Sequence, residues 1–231
     1  MFDISPAEWT AILLSLRVAV VATLVATPFG IALAWLLARR EFWGKSILDA
    51  AVHLPLVLPP VVTGYLLLLT FGRRGLVGAW LAEHLGIVFA FRWTGAALAC
   101  GIMSFPLLVR PIRLSIEAID RRLEQASSTL GAAPWQVFAT VTLPLALPGV
   151  LAGMVLGFAK AIGEFGATIT FVSNIPGETQ TISSAIYSLI QTPDGDTAAA
   201  RLVLISIMIA MSALIASEWF ARRATKRLHG N

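Results

Sequence analysis

The sequence contains few charged residues. Asp, Glu, Lys and Arg make up 13% of its 231 residues, whereas a soluble domain usually has about 25%. Apolar residue types make up 57%. A soluble monomer of this composition would expose larger apolar patches than monomers tolerate, so we expect much of this surface to face lipid. The composition therefore predicts a polytopic membrane protein and excludes an ordinary water-soluble domain.

Residues that bind metals or act as nucleophiles are also scarce. The single cysteine, Cys100, lies in an apolar run and can form neither an internal disulfide nor a cysteine-based metal cluster, so we expect a small buried packing residue. The three histidines, His53, His84 and His229, are dispersed and lack metal-ligand spacing. No P-loop pattern or Ser/His/Asp arrangement is recognisable. The sequence predicts no cofactor on this chain and no enzymatic centre of its own.

Five apolar windows are long enough to cross the hydrocarbon layer of a membrane, which takes about 20 residues. They lie near residues 11–38, 50–71, 94–116, 145–169 and 198–220. A sixth candidate, Leu76 to Phe91, is short and contains Glu83 and His84, so we interpret it as an external or re-entrant helix. The expected fold is an all-α integral membrane domain over residues 11–220, with five transmembrane helices or, alternatively, six.

The distribution of Lys and Arg predicts the orientation, because cytoplasmic flanks carry the excess of these residues. One side has most of them, among them Arg39, Arg40, Lys45, Arg110, Arg113, Arg121 and Arg122; the other side has Arg73, Arg74 and Arg92. Residues 1–10 are therefore predicted to be periplasmic and the tail, residues 221–231, cytoplasmic. This topology explains the net charge of +4 without a nucleic-acid partner. The acidic start predicts no cleaved signal peptide.

The longest inner loop, residues 117–144, is too patterned for a passive connector. A polar helix is predicted to end at Gly131, and a second short helix to begin at Pro134 and to lie between two turns. An apolar surface on this second helix is expected from Trp135, Val137, Phe138 and Val141. Periodicity alone leaves two interpretations open: an amphipathic helix lying on lipid, or a docking surface for a partner.

The spacing in this loop resembles the EAA motif of ABC-importer permeases. Gly131 is followed after nine residues by Val141, and then by Leu143 and Pro144, as in the motif. The motif's acidic position falls on Gln125, while the glutamate of this sequence, Glu124, stands one place earlier. The residues that the resemblance assigns to coupling with an ATPase are Glu124, Gln125, Ala126, Gly131, Trp135, Val141, Leu143 and Pro144. We refer to residues 117–144 as the coupling loop.

Two further stretches, residues 54–65 and 163–182, are similar to molybdate permeases. Sulfate permeases are similar around Glu164-Phe165-Gly166. The resemblance implies a type I ABC-importer permease fold and the membrane-spanning subunit of an ATP-driven importer that carries a tetrahedral oxyanion, with molybdate as the first choice. Tungstate and sulfate permeases are the alternatives within this class. A secondary anion transporter is the alternative from another class.

The resemblance also implies partners in the bacterial inner membrane. A second copy of the chain is expected, because one set of five helices would form a thin wall for a gated pathway. Two cytoplasmic ATPase subunits that use ATP and Mg, a periplasmic oxyanion-binding protein and membrane lipid complete the expected set. No cofactor is expected on this chain.

Prolines predict where the pathway lies. Pro55, Pro59, Pro60 and Gly64 should bend or break the second span. Such breaks are tolerated at membrane depth only where protein or a water-filled cavity satisfies the backbone, which favours a pathway over a packing kink. Ser104 and the following Phe105-Pro106 predict a similar break in the third span.

Charged and hydroxyl residues near the fourth span are further candidates. Glu164 follows Lys160 by four residues, which predicts either a local ion pair or a gate. A carboxylate is a poor ligand for a dianion, so hydroxyl and amide groups from Thr168 to Asn174 are the candidate contacts, with turn and cap roles as the alternative. Arg17 in the first span could attract an anion, but we favour a structural use. The predicted pathway or gate residues are Pro59, Pro60, Thr63, Ser104, Glu164, Thr168 and Thr170.

Overall fold

The computed structural model describes residues 4–228, and their side chains as far as residue 216. Within this range every regular element is helical, which confirms the predicted all-α class. The helices are α1 (Pro6–Arg39), α2 (Lys45–Val57), α3 (Pro60–Phe71), α4 (Leu76–Leu85), α5 (Trp93–Glu117), α6 (Arg121–Thr129), α7 (Pro134–Val137), a π-helical turn (Phe138–Thr142), α8 (Leu143–Ile162), α9 (Gly166–Val172), α10 (Ile182–Leu189) and α11 (Asp196–Leu228).

Four of the described helical segments are long and apolar enough to cross a membrane: α1, α5, the continuous segment Pro134–Ile162, and Asp196–Ala216 of α11. The pair α2 and α3 is apolar enough to form a fifth span but is bent by 114°. The predicted five spans are thus present if the bent pair counts as one. At ten residues α4 is about 15 Å long, too short to cross, in agreement with an external or re-entrant helix.

Helix α1 is far longer than a membrane requires. Its 34 residues extend about 51 Å. The helix starts at a capping box, in which the Ser5 hydroxyl accepts from the Glu8 N–H (3.2 Å) and the Glu8 carboxylate accepts from the Ser5 N–H (2.6 Å). Glu8 is buried and also accepts three hydrogen bonds from Arg201, at 3.1 and 3.2 Å to one carboxylate oxygen and at 3.3 Å to the other. The first and last long helices are therefore joined near the start of α1.

Helix α5 lies at the centre of the bundle, packed against α1 and α8. Small residues permit this packing: a Cβ atom at Gly30 of α1 would overlap the Leu108 side chain, and one at Gly153 of α8 would meet the Leu108 backbone. The predicted break at Ser104 to Pro106 was wrong, since α5 runs unbroken from Trp93 to Glu117. Proline is tolerated inside a membrane helix where neighbouring helices satisfy the freed backbone groups, and α1 and α8 pack against this stretch.

Candidate functional site

Gly131 ends the polar helix of the coupling loop, as predicted. Helix α6 begins after Asp120, whose carboxylate accepts from the Arg122 N–H at 2.9 Å. It stops before Gly131, which has φ +89°, a left-handed conformation that favours glycine. The Ala132 N–H then donates to the Ser127 carbonyl (3.3 Å), which closes the turn. Gly131 therefore sets the direction in which the chain enters α7.

The second short helix begins at Pro134, also as predicted. The Gln136 side-chain oxygen accepts from the Ala133 N–H (2.7 Å) and caps this end. The prediction that the helix lies between two turns was wrong, because α7 continues through the π-helical turn into α8. Pro144 has no N–H to donate, and the Leu143 N–H bonds back to Phe138, five residues earlier. One helical arm therefore runs from the loop surface into the membrane.

The apolar surface of this arm is narrower than predicted. Trp135 is 70% exposed and Leu130, which precedes the glycine turn, is 89% exposed. Val137 is buried instead, and Phe138 packs edge-on against Trp35 of α1 with ring centroids 6.0 Å apart. Leu130 and Trp135 therefore form the exposed apolar tip of the coupling loop, while the opposite side of the helix packs on the bundle.

Glu124 points into the protein. Its carboxylate lies 3.1 Å from the Arg39 guanidinium at the end of α1 and accepts from the Thr142 hydroxyl at 2.6 Å. The next residue, Gln125, which occupies the acidic position of the EAA pattern, is exposed. Sequence reasoning missed Arg39 and Thr142, because they lie 85 and 18 residues from Glu124 and no local pattern connects them.

A more exposed ion pair lies beyond the end of α1. Lys45 at the start of α2 donates to the Glu41 carboxylate at 2.7 Å. This hydrogen bond lowers the pKa of the Glu41 carboxyl below its ordinary value. The Glu41 side chain is 85% exposed and that of Lys45 21%, so this pair is more accessible to solvent than the pair of Arg39 with Glu124, and it is confined to one short segment.

The predicted break in the second span is present and meets a second break. The chain bends between α2 and α3 at Pro59. The fourth span, predicted to reach residue 169, ends at Ile162, and α9 restarts at Gly166. A Cβ atom at Gly166 would lie 2.7 Å from the Pro60 Cβ, so the starts of α3 and α9 are in direct contact. The fourth span is shorter than predicted because Gly163 ends α8 and a cap for the next helix follows it.

Glu164 provides that cap. Its side chain is 1% exposed; one carboxylate oxygen lies 2.7 Å from the Lys160 ammonium, and the other accepts from the Ala167 N–H at 3.0 Å. The carboxylate therefore joins the last turn of α8 to the first turn of α9. The predicted local ion pair is confirmed, and the gate role stays a prediction.

The hydroxyl and amide candidates differ in whether their side chains have a hydrogen-bond partner. Thr168, Thr170 and Ser104 each donate to a carbonyl of their own helical segment, at 2.9, 2.8 and 3.2 Å. The buried Thr63 hydroxyl has no hydrogen-bond partner among the described residues. Asn174 donates to the Ser188 hydroxyl at 2.7 Å. The structure thus brings Thr63, Thr168 and Thr170 to the two helices that meet at the breaks, whereas Ser104 is fully buried in α5.

Arg17 and Cys100 both contact other parts of the helix bundle. The Arg17 guanidinium lies 3.7 Å from the centre of the Trp93 ring, a cation–π contact. Cys100 is buried in the bundle, as predicted. Among the described residues, no group of three or more His, Cys, Asp or Glu side chains is placed to hold a metal ion.

Comparison with known proteins gives consistent matches. The family model described as "Binding-protein-dependent transport system inner membrane component" matches residues 26–226. The chain is 61% identical to the molybdenum transport system permease protein ModB of Escherichia coli over 95% of this chain and 96% of that protein. It is 58% identical to ModB of Haemophilus influenzae over 96% of each chain. It is also 35% identical to a probable sulfate transport system permease of Nephroselmis olivacea, over 93% of this chain and 75% of that protein.

Solved structures show the same fold. A chain of a bacterial ABC transporter involved in alginate import superimposes with a TM-score of 0.74 at 20% identity, over 95% of this chain and 80% of that chain. A chain of the MetNI methionine ABC transporter in an inward-facing conformation superimposes with a TM-score of 0.72 at 16% identity, over 97% of this chain and 99% of that chain. The fold is thus that of type I ABC-importer permeases, and the chain belongs to the family of inner membrane components of binding-protein-dependent transport systems.

Proposed function

We propose that this chain is the membrane-spanning subunit of an ATP-driven importer for molybdate. The observation that carries the proposal is the exposed tip of Leu130 and Trp135 on a helical arm that runs without a break into a membrane span. High identity to molybdenum transport permeases over nearly the whole chain supports molybdate as the cargo. The sulfate permease at lower identity supports the same chemical class, a tetrahedral oxyanion.

The coupling loop performs the first part of the work. Leu130 and Trp135 dock on a cytoplasmic ATPase, because an exposed apolar tip of this kind is stabilised when a partner buries it. The arm from Pro134 to Ile162 has no intervening loop, so a displacement of the tip moves α8 as a rigid body. The ATPase binds and hydrolyses ATP with Mg, and this chain binds neither.

The broken helices form the pathway in a homodimer. One face of α3 is apolar and exposed in the single chain: Val61, Val62, Tyr65, Leu66 and Leu69. Because α3 is packed on α9 by its opposite face, through Gly64, this exposed face is available to a second copy. A helix broken at membrane depth needs protein or a water-filled cavity beside its backbone, which favours a position on the pathway. Pro59, Pro60 and Thr63 then lie at the gate.

The complete importer contains two copies of this chain, two ATPase subunits and a periplasmic oxyanion-binding protein. The N-terminus is periplasmic and the C-terminus cytoplasmic, which places the coupling loop on the ATPase side. The binding protein supplies affinity and selectivity. The pathway needs only weak contacts with the anion, because an anion held tightly at the gate would leave slowly.

Purification of the complex tests this assignment. A tag on this chain should recover the ATPase at a ratio of one subunit per permease copy, and the oxyanion-loaded binding protein should raise ATP hydrolysis. Mutation of the ATPase nucleotide site should abolish hydrolysis, whereas the permease alone should hydrolyse no ATP. A permease that transports the oxyanion without any ATPase would contradict the proposal and would support a secondary transporter.

A further inference from the structure

Arg39 carries a permanent charge in a nearly enclosed position. Its side chain is 8% exposed, and that of its partner Glu124 is 18% exposed. The Arg39 Nε lies 3.1 Å from Glu124 Oε2, and its Nη2 donates to the Ile119 carbonyl at 3.2 Å. Glu124 Oε1 accepts from the Thr142 hydroxyl at 2.6 Å. We refer to these contacts as the Arg39–Glu124 link.

The link joins elements that are distant in the sequence. Arg39 is the last residue of α1, Ile119 lies between α5 and α6, Glu124 lies on α6, and Thr142 ends the π-helical turn before α8. Trp35 and Phe138 add an edge-to-face contact between α1 and the same turn. The end of the first span is therefore fixed to both sides of the coupling loop.

A charged pair at this position restricts geometry more than an apolar contact does. Hydrogen bonds between ionised groups are directional and stronger than those between neutral groups, whereas apolar side chains slide with little loss of free energy. Enclosed charges are costly unless they are paired, so the two partners resist separation. Displacement of the coupling loop therefore favours movement of α1 over rupture of the link.

We propose that Arg39 is a positioning residue for ATP coupling, which acts through Glu124 to make α1 move with α8 when the ATPase displaces the loop. The inference rests on the proposed function. Glu124 then serves inside the permease, while Leu130 and Trp135 contact the ATPase. Without the link, the ATPase still docks and still hydrolyses ATP, but movement of the loop reaches α8 without moving α1, and fewer anions cross for each ATP.

The test measures oxyanion uptake per ATP hydrolysed in proteoliposomes that contain the complete importer and its binding protein. Arg39→Met removes the cation, and Arg39→Met with Glu124→Gln removes both charges while leaving an oxygen for the Thr142 hydroxyl. Lys45→Met is the matched control, because it breaks the pair with Glu41, which is more exposed than the Arg39–Glu124 link and lies beyond the end of the same helix.

We expect Arg39→Met to lower the uptake per ATP about fivefold, the lower end of typical coupling effects, while ATP hydrolysis persists. Should Arg39→Met assemble poorly because Glu124 is left unpaired, the double variant provides the measurement: assembly returns and the low ratio remains. Lys45→Met keeps the wild-type ratio. A purely structural link would lower assembly, hydrolysis and uptake in parallel and leave this ratio unchanged.

Two results overturn the inference. One is a wild-type ratio in Arg39→Met or in the double variant, which shows that the link does not transmit the movement. The other is an equal loss of the ratio in Lys45→Met, which shows a nonspecific charge effect. Wild-type vesicles are measured in the same experiment: if they take up no oxyanion, the proposed function fails and the inference falls with it, whereas normal wild-type uptake with unchanged variant ratios contradicts the inference alone.

Discussion

Gly64 of α3 lies directly against the backbone of Ala167 in α9: a Cβ atom at residue 64 would be 2.6 Å from the Ala167 carbonyl oxygen. The same atom would lie 2.9 Å from the Thr170 Cβ. Two short helices that follow breaks in different spans are thus in contact at backbone distance. Such contact requires glycine, because any other side chain separates the helices.

The first prediction tests this contact. Gly64→Ala should separate α3 from α9 and destabilise the assembled complex by about 1 to 3 kcal/mol, the usual cost of overpacking. Gly101→Ala is the matched control in α5, where the nearest atom to an added Cβ would be 3.7 Å away. Thermal unfolding of the purified complex and its uptake activity provide the measurements. Equal unfolding temperatures for the two variants would contradict the observed packing.

A second prediction concerns the cap at the break in the fourth span. Lys160→Met leaves the buried Glu164 carboxylate without its cation and should cost about 3 kcal/mol, the lower end of the range for a broken buried pair. Glu164→Gln should be milder, because an amide oxygen still accepts from the Ala167 N–H. Both variants should insert normally and should alter uptake or basal ATP hydrolysis.

The control for this pair is Lys160→Met combined with Glu164→Gln, which removes both charges and should recover part of the lost stability. If each single variant retains wild-type stability, uptake and basal hydrolysis, Glu164 neither stabilises the break nor acts as a gate residue.

The third prediction addresses the turn that aims α7. Gly131→Val should cost about 1 to 3 kcal/mol in backbone strain and redirect the exposed tip. The ATPase should co-purify poorly, although the five spans still insert because their hydrophobicity does not depend on this turn. Gly131→Asn should be milder, since asparagine tolerates the left-handed conformation.

Gly86→Val is the matched control for this turn. Gly86 also directly follows a helix, and its own φ is positive, at +66°. At either glycine an added Cβ atom would meet no other atom within 4 Å. The strain is therefore similar, but Gly86 ends α4, far from the coupling loop in the sequence. Full ATPase recovery with Gly131→Val, or an equal loss with Gly86→Val, would refute the coupling role of the turn.

The fourth prediction is the orientation of the chain. Reporters fused after Gly44 and after Gln125 should report the cytoplasm, and fusions after His84 and after Pro193 the periplasm. A periplasmic signal after Gln125 would place the coupling loop on the wrong side for an ATPase and would contradict the proposed function.

Sequence reasoning located several local features correctly. The stop at Gly131, the helix start at Pro134, the break at Pro59 and the pair of Lys160 with Glu164 each depend on residues within a few positions of one another. Glycine and proline restrict the backbone directly, and residues four apart on a helix are neighbours. Such effects are contained in a short sequence window.

Contacts between distant segments were not predicted. Arg39 with Glu124, Glu8 with Arg201, and Gly64 with Ala167 depend on how the helices pack, and each residue alone fits several roles. The break after Ile162 was missed for a related reason. The residues on both sides of it are mostly apolar and look like one continuous span, and only the capping carboxylate of Glu164 shows where the helix restarts. The Ser104 to Pro106 segment shows the converse, because packing overrode a local break signal.

Uptake of labelled molybdate into proteoliposomes tests directly whether this chain belongs to an ATP-driven molybdate importer. The vesicles contain the permease and its ATPase, ATP on the ATPase side, and the binding protein on the opposite side. We expect uptake that requires ATP and the binding protein, that unlabelled molybdate and tungstate suppress, and that sulfate suppresses more weakly. Uptake that proceeds without ATP, or no uptake of any of these oxyanions by the complete complex, would contradict it.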